Sequence, residues 1–121
     1  MNIVIYGTGG VGGYFGARLA QAGNTVTFIA RGKHLEAIKE RGLQLKSCKG
    51  DYLVFPANAT DSIAELSGID LILICVKTWQ IAEVAQKIKP VLSKETVVIS
   101  LLNGIENERI LCEELPSKQV L

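Results

Sequence analysis

A short apolar run near the start of the chain leads directly into a segment very rich in glycine. The run is NIVIY over residues 2–6, and six of the ten residues from Gly7 to Gly16 are glycine. The first six positions of this segment match the pattern G-x-G-x-x-G: Gly7, Thr8, Gly9, Gly10, Val11 and Gly12. A β-branched run that ends at glycine predicts a buried strand. Apolar residues at helical spacing then predict a helix over 11–22, with an inward face formed by Val11, Phe15, Leu19 and Ala22.

Three glycines of this turn have specific roles in a strand–turn–helix unit. Gly7 permits the tight turn out of the strand, Gly9 leaves room for a pyrophosphate beside the backbone, and Gly12 lets the helix pack against the strand. Free N–H groups at the helix start, with the helix dipole, favour a phosphate anion. We therefore predict a dinucleotide-binding turn, the alternative being a glycine-rich turn without a ligand. The additional glycines are predicted to serve close packing: Gly10, Gly13 and Gly16.

The rest of the chain alternates between strands and helices. Further strands are predicted at 25–30, 70–76, 96–102 and 118–121, and further helices at 33–42, 81–88 and 105–114. The inward residues of two of these helices are predicted to be Leu35, Ile38, Ile81, Val84, Ala85 and Ile88. Segments 43–48 and 51–56 predict an antiparallel hairpin, and Ser62 with Glu65 predicts a capping box that opens a short helix. The fold class is therefore α/β, a Rossmann-like open, mainly parallel sheet flanked by helices with a β-hairpin insertion near 43–56.

A basic residue follows the second strand at a position where NAD-binding sites usually carry an acid. About 20 residues after the glycine turn, Asp or Glu typically bonds the ribose 2′-hydroxyl of NAD. Here the strand ends at Arg31, with Lys33 and His34 close behind. A guanidinium can bind a 2′-phosphate through two hydrogen bonds, so the sequence predicts NADP(H) as the cofactor. The alternative is a solvated surface arginine, and His34 is predicted to be a surface residue.

Polar residues also follow two later strands. Lys77 and Gln80 come after the strand at 70–76, and Asn103-Gly104 follows the strand at 96–102. Ligands of open α/β sheets bind beyond the carboxyl ends of the strands, so these side chains and the glycine turn should share one rim. Lys77 could bond a ribose hydroxyl or a phosphate, and Asn103 the nicotinamide ribose or a substrate group. The alternatives are a solvated lysine and a turn-forming Asn-Gly, and Trp79 is predicted to contribute no more than packing.

Composition excludes several classes of partner and site. The formal net charge is +1, from 13 basic and 12 acidic residues, which argues against nucleic acid and membrane surfaces as partners. At 48% hydrophobic, the 121 residues suit one folded domain. Three cysteines without C-x-x-C spacing suggest neither disulfides nor a metal site, and the cytoplasm is the predicted compartment. No apolar run is as long as a membrane span.

Four motifs together resemble the N-terminal domain of the ketopantoate reductase (2-dehydropantoate 2-reductase) family. They are G-T-G-G-V-G at 7–12, A-R at 30–31, V-K-T-W-Q at 76–80 and L-N-G-I-E-N at 102–107. The resemblance implies that residues 7–12 bind the pyrophosphate of NADPH and Arg31 its 2′-phosphate. It also implies that Lys77, Gln80 and Asn103 contact the cofactor, with Asn103 close to the substrate. Family members reduce the 2-keto group of ketopantoate to pantoate, on the route to pantothenate and coenzyme A.

One part of the family pattern has no counterpart in these residues. The family has a second, helical domain that closes the cleft and supplies the lysine that acts as general acid. We therefore expect residues 1–121 to be the NADP-binding domain, with no catalytic residue of its own and no activity alone. Its expected partners are a small 2-keto acid and the missing C-terminal domain. An exposed edge near 118–121 leaves self-association open.

Two other interpretations remain. One is another two-domain NADP reductase, such as a β-hydroxyacid dehydrogenase or a glycerol-3-phosphate dehydrogenase. The hairpin near 43–56 and the V-K-x-x-Q pattern favour ketopantoate reductase over these. The other is a non-catalytic NAD(P)-sensing module, a class that often prefers NAD and carries an acid at the position of Arg31.

Overall fold

A computed structural model describes residues 1–101 and 105–121 of the chain. The strands are β1 Asn2–Tyr6, β2 Thr25–Ile29, β3 Leu43–Leu45, β4 Tyr52–Val54, β5 Asn58–Thr60, β6 Leu71–Ile74 and β7 Val97–Ser100. The α-helices are α1 Gly10–Gln21, α2 Gly32–Arg41, α3 Ile81–Ile88 and α4 Ile105–Glu114. Short 3₁₀ turns lie at Ile63–Glu65, Thr78–Gln80, Lys89–Val91 and Ser117–Gln119. Among the described helices, none combines the length and the apolar character needed to cross a membrane.

Five strands form one parallel sheet in the order β5-β2-β1-β6-β7. β1 is central, and its Ile5 lies opposite Phe28 of β2 and Leu73 of β6. The chain moves outward from β1 to β2 and β5, and then crosses back to the other side of β1 to form β6 and β7. The strand order therefore reverses between β1 and β6, at the place where open α/β sheets bind their ligands. The predicted Rossmann-like α/β class is confirmed.

Both faces of this sheet are covered, which explains the near-continuous apolar runs of its strands. Successive β1 residues point to opposite faces, so Val4 and Tyr6 join one cluster, while Ile3 and Ile5 join the other. The first cluster contains the buried residues of α3 together with Leu111 of α4. The second is covered by α1 and by the apolar side chains of the hairpin formed by β3 and β4. The sheet is thus a rigid central layer.

The inward face predicted for α1 is wrong. Gly12, Gly16 and Ala17 are the buried residues of this helix. Val11 and Phe15 are instead 52% and 42% exposed, Ala22 is exposed, and Leu19 is half-buried. The helix lies so close to the sheet that a Cβ added at Gly16 would be 2.4 Å from the ring of Phe28. Only its smallest residues fit in that contact, so its larger apolar side chains are turned outward.

The faces of the next two helices follow the sequence pattern. Ile38 of α2 is buried and Leu35 is half-buried, as predicted. All four inward residues predicted for α3 are buried: Ile81, Val84, Ala85 and Ile88. Neither helix has glycine on its inward face, so apolar periodicity and packing agree.

The hairpin insertion is confirmed. β3 and β4 pair antiparallel as a separate two-stranded sheet, each three residues long, with Gln44 opposite Leu53. They are shorter than the two six-residue segments predicted at 43–48 and 51–56. The hairpin turn is fastened to α1 because Arg18 donates a hydrogen bond of 2.9 Å to the carbonyl oxygen of Gly50.

Three local predictions differ from the structure at the sheet edges. β5 was not predicted, because Asn58–Thr60 is short and largely polar and forms only an edge pairing with β2. Ser62 makes no side-chain cap. Instead, Thr60 Oγ1 accepts from the Ser62 N–H at 3.2 Å and donates to Glu65 at 3.2 Å. The strand predicted at 118–121 reduces to a 3₁₀ turn and a single parallel bridge between Val98 and Val120.

The close contact between α1 and β1 gives a stability prediction with a matched control. A Cβ at Gly12 would lie 2.0 Å from the Gly7 carbonyl oxygen, whereas a Cβ at Gly10 would meet nothing within 4 Å. Gly12→Ala should therefore lower the free energy of unfolding by about 3 kcal/mol or more, as overpacking does when backbone cannot yield. Gly10→Ala should be neutral or stabilising by up to about 1 kcal/mol. Urea unfolding followed by circular dichroism measures both, and equal stability of the two variants would contradict this account.

Candidate functional site

A cleft of about 580 Å³ opens at the carboxyl ends of β1, β2 and β6. It lies where the strand order reverses, the usual ligand position of an open α/β sheet. The predicted site residues that line it are Gly7, Thr8, Gly9, Gly10, Val11, Arg31, Lys77 and Gln80. Gly12 is buried directly behind the turn. Asn103 and Gly104 lie outside the described residues, although Leu101, just before them, also lines the cleft.

The glycine turn has the geometry that its sequence predicts. Gly7 has a φ of +100°, and a Cβ there would be 2.9 Å from Val76 and 3.0 Å from the backbone of Cys75. Gly9 is the N-cap of α1, and a Cβ on it would meet nothing within 4 Å. The roles of Gly7 in the turn and of Gly12 in packing are confirmed. At Gly9 the backbone borders open space.

The start of α1 can attract an anion. Among the described residues no side chain caps this helix, and its first turn contains no acidic residue. The first N–H groups of a helix lack partners within it, and the helix dipole is positive at this end. Packing explains Gly16 and Gly13, since a Cβ at Gly13 would be 3.3 Å from the Thr8 carbonyl oxygen. It does not explain Gly10, whose predicted packing role is wrong because no atom lies near its missing side chain.

Thr8 connects the glycine turn to the second helix. Its side chain is almost fully buried, and Oγ1 lies 2.6 Å from Nε2 of His34, in the first turn of α2. His34 is exposed, as predicted, but it also lines the cleft. The sequence contained one signal for this contact. His34 comes three residues after Arg31, which follows β2, and Thr8 follows the neighbouring parallel strand β1. We infer that the pair holds the turn in register with α2.

Arg31 occupies the rim of the cleft at the end of β2. It is the N-cap residue of α2, with extended backbone (φ −147°, ψ 163°), and its side chain is exposed. Within residues 1–101 and 105–121, its guanidinium makes no hydrogen bond or ion pair. The first turn of α2 also contains no acid. All donors of this guanidinium are therefore available to a ligand.

The segment after β6 is organised around Lys77 and Gln80. The Lys77 N–H donates to Oε1 of Gln80 at 3.0 Å, and the Gln80 N–H donates to the Lys77 carbonyl at 2.9 Å. This reciprocal pair fixes the 3₁₀ turn at Thr78–Gln80 and leaves the Lys77 side chain exposed at the cleft. Gln80 thus has a structural role in addition to the cofactor contact predicted for it. Trp79 is 80% exposed, so the packing role predicted for it is wrong.

Four polar or charged residues of the cleft had no role predicted from the sequence: Tyr6, Asp61, Glu83 and Lys87. Lys87 Nζ lies 3.0 Å from Glu83 Oε1, one helical turn apart on α3. This hydrogen bond to Glu83 raises the pKa of Lys87. Burial raises the pKa of the Tyr6 hydroxyl, while the positive charges of Lys87 and Arg31 oppose the rise. The sequence did contain a signal for the pair of Glu83 and Lys87, which is their i, i+4 spacing. It was not used because this helix was interpreted only from its apolar face.

Cys75 lies behind the glycine turn, and its thiol is expected to be a poor nucleophile. Burial raises the pKa of its thiol to about 11. All three cysteines are free thiols. In the part of the chain that the structure describes, no group of three or more His, Cys, Asp or Glu side chains is placed to hold a metal ion.

Comparison with known proteins identifies the family. The family model described as ketopantoate reductase PanE/ApbA matches residues 3–121. The chain belongs to this family. A 2-dehydropantoate 2-reductase of Nostoc sp. is 31% identical over 117 residues, which are 97% of this chain and 36% of that protein. The chain therefore spans little more than a third of this relative's length.

Solved structures are also similar to this chain. The PanE/ApbA family ketopantoate reductase from Ralstonia eutropha is 39% identical with a TM-score of 0.90, over 99% of this chain and 40% of that one. A D-mandelate dehydrogenase in complex with NADH and anilino(oxo)acetate is 34% identical with a TM-score of 0.88, over 99% of this chain and 39% of that one. The same domain fold thus occurs in a protein solved with NADH rather than NADPH.

Because Cys75 is partly buried and Cys48 is exposed, we expect the two thiols to react with an alkylating reagent at different rates. With a thiol pKa of about 11, it should be roughly one part in a thousand thiolate at about pH 8. Because the thiolate is the nucleophile, iodoacetamide should modify the exposed Cys48 first, and Cys75 should react quickly only after unfolding. Peptide mass spectrometry over a time course, with and without denaturant, measures this. Equal rates for Cys48 and Cys75 in the folded chain would contradict the buried, protonated state.

Proposed function

We propose that this chain is the cofactor-binding half of an NADPH-dependent reductase that converts 2-dehydropantoate to pantoate. The observation that carries the proposal is Arg31, a guanidinium without a described partner at the tip of β2, on the same cleft as an uncapped glycine turn. A pyrophosphate at the start of α1 would meet free N–H groups, and Gly9 would give it access to the backbone. The family of the chain supports the choice of substrate.

The choice of NADPH over NADH rests on charge. A 2′-phosphate near the end of β2 would face Arg31 and not the acid that bonds the ribose 2′-hydroxyl of NAD. Arg31 can donate two parallel hydrogen bonds to such a phosphate. The D-mandelate dehydrogenase solved with NADH favours a second candidate, an NADH-dependent reductase of another 2-keto acid. Arg31 argues against that candidate, and cofactor titration separates the two.

The division of labour follows from chemistry. Reduction of a ketone needs a hydride, which bound NADPH would supply, and a proton from a positioned acid. In this proposal the chain binds and orients the cofactor, with Lys77 and Asn103 on its nicotinamide side and Gln80 as a further cofactor contact. The proton donor and the substrate clamp belong to a second, helical domain, in line with the greater length of the relatives. We propose the cytoplasm as the compartment of the reaction, because it would keep the three thiols free.

The cofactor proposal predicts a selective effect of Arg31→Ala. NADPH should bind more weakly by about 1.5–3 kcal/mol, the range for a hydrogen bond to a charged group, while NADH should hardly change. Calorimetric titration of both nucleotides measures this. Arg41→Ala, at the far end of α2, is the control for loss of an exposed arginine.

A second variant tests the glycine turn itself. Gly9→Val should abolish binding of both nucleotides while the domain stays folded, since a Cβ there meets nothing within 4 Å. If the unmodified chain binds NADH as tightly as NADPH, or more tightly, the NADPH proposal is wrong.

The division of labour predicts that the 121 residues alone do not turn over ketopantoate. General acid catalysis typically contributes about 10²–10⁴-fold, and positioning of the substrate about 7–11 kcal/mol. Losing both should place the rate of NADPH consumption below detection, although NADPH still binds. The assay follows NADPH absorbance with ketopantoate beside a full-length relative as positive control. Clear turnover would place the general acid within this chain, with Lys77 the first residue to test.

A further inference from the structure

One end of the cleft contains a group of side chains for which the proposed reaction has no role. Tyr6 ends β1, and Glu83 and Lys87 lie on α3, yet all three line the cleft together with Arg31. Arg31 follows β2, where a bound dinucleotide has its adenosine ribose, and the three side chains line the same cleft. We infer that Tyr6, Glu83 and Lys87 form the far wall of the adenosine 2′-phosphate pocket and set, with Arg31, the preference for NADPH. This inference rests on the proposed function.

Tyr6 provides the first observation. The residue is only 9% exposed, yet it lines the cleft, and its hydroxyl has no hydrogen-bond partner among residues 1–101 and 105–121. A hydroxyl that lines a cleft without a partner among the described residues is available to a polar ligand. Lys87, Glu83 and Arg31 line the same cleft as Tyr6, and their charges act on the pKa of its hydroxyl.

The ion pair between Lys87 and Glu83 provides the second observation. Its two atoms are 3.0 Å apart, and the side chains are 53% and 60% exposed, so the pair is held only weakly. Lys87 can therefore exchange the Glu83 carboxylate for a phosphate at little cost. Glu83 would then remain beside a dianionic group and repel it. Lys87 thus favours NADPH, and Glu83 opposes it.

Other charged groups on the cleft do not replace this pair. His34 is engaged with Thr8, and Lys77 lies beyond β6, on the opposite side of β1 from Arg31. Asp61 also lines the cleft and adds to the negative charge that a phosphate must overcome. A second cation facing Arg31 is what the pocket needs, and Lys87 is the residue on α3 that supplies it.

The test compares ligands that isolate the adenosine end. NADPH, NADH and 2′,5′-ADP are titrated into the unmodified chain and into Lys87→Gln, Glu83→Gln and Tyr6→Phe. Lys87→Gln should weaken NADPH and 2′,5′-ADP alike, by about tenfold, and leave NADH nearly unchanged. Glu83→Gln should tighten both phosphorylated ligands severalfold. Tyr6→Phe should weaken them by less than Lys87→Gln does.

Matched controls separate this pocket from general charge effects. Lys89→Gln removes a lysine two residues beyond Lys87 and outside the cleft, and Glu113→Gln breaks a similar pair, with Arg109, at 2.9 Å on α4. Neither should alter any affinity. Circular dichroism checks that each variant is folded, and Lys87→Arg should retain NADPH binding.

Each contrary result overturns a different statement. If Lys87→Gln and Glu83→Gln leave the ratio of NADPH to NADH affinity unchanged while Arg31→Ala alters it, the inference is wrong and the proposed function survives. If Lys87→Gln weakens NADPH but not 2′,5′-ADP, Lys87 acts at the nicotinamide end and the inference is again wrong. If the unmodified chain binds neither nucleotide, the proposed function fails and the inference fails with it.

Discussion

The contact between Gly12 and the Gly7 carbonyl oxygen is the constraint on which the rest of the structure depends. Any side chain at Gly12 would lie 2.0 Å from that oxygen, so α1 can lie on the sheet only because there is none. Gly16 extends the same contact to Phe28 one turn later. This proximity aims the uncapped start of α1 at the carboxyl ends of the strands. It also leaves room for the hairpin to pack against the outer side of α1 through Arg18. The packing of α1 and the proposed anion site therefore depend on the same contact.

Much of this fold could be predicted because its strands are buried on both faces. Runs such as 70–76 are apolar for that reason, and α3 shows its inward face in its spacing. The inward face predicted for α1 was wrong for a physical reason. Periodicity is counted from apolar side chains, whereas α1 contacts the sheet through glycines, which have none. Val11 and Phe15 are turned outward because Gly12 and Gly16 are turned inward. β5 escaped prediction because three residues at an edge, two of them polar, form a strand only when β2 is there to pair with them.

The candidate site also contains residues that local sequence predicts and residues that only the fold brings together. The glycine turn and Arg31 follow from local sequence, since each lies at the end of a strand whose position is easily predicted. Tyr6, Glu83 and Lys87 become neighbours of Arg31 only when α3 is packed over the sheet, and about 80 residues separate Tyr6 from the lysine. No role was predicted for Lys87, since lysines on helices are mostly solvated. Only the cleft distinguishes it from Lys89, two residues further along.

The proposed separation of roles would let one fold serve proteins with different cofactors. The glycine turn offers the same N–H groups to any dinucleotide, because the pyrophosphate is common to NADH and NADPH. Discrimination between NADH and NADPH must therefore arise where the two ligands differ, at the adenosine ribose. It is measured by the difference between the two affinities and not by either affinity alone. An exposed pair such as Glu83 and Lys87 suits that task, since changing one charge leaves the buried core untouched. A D-mandelate dehydrogenase solved with NADH shares this fold at a TM-score of 0.88, so the backbone alone does not fix the choice. In the proposal, side chains at the rim make the choice, and none of them takes part in the contact between Gly12 and Gly7.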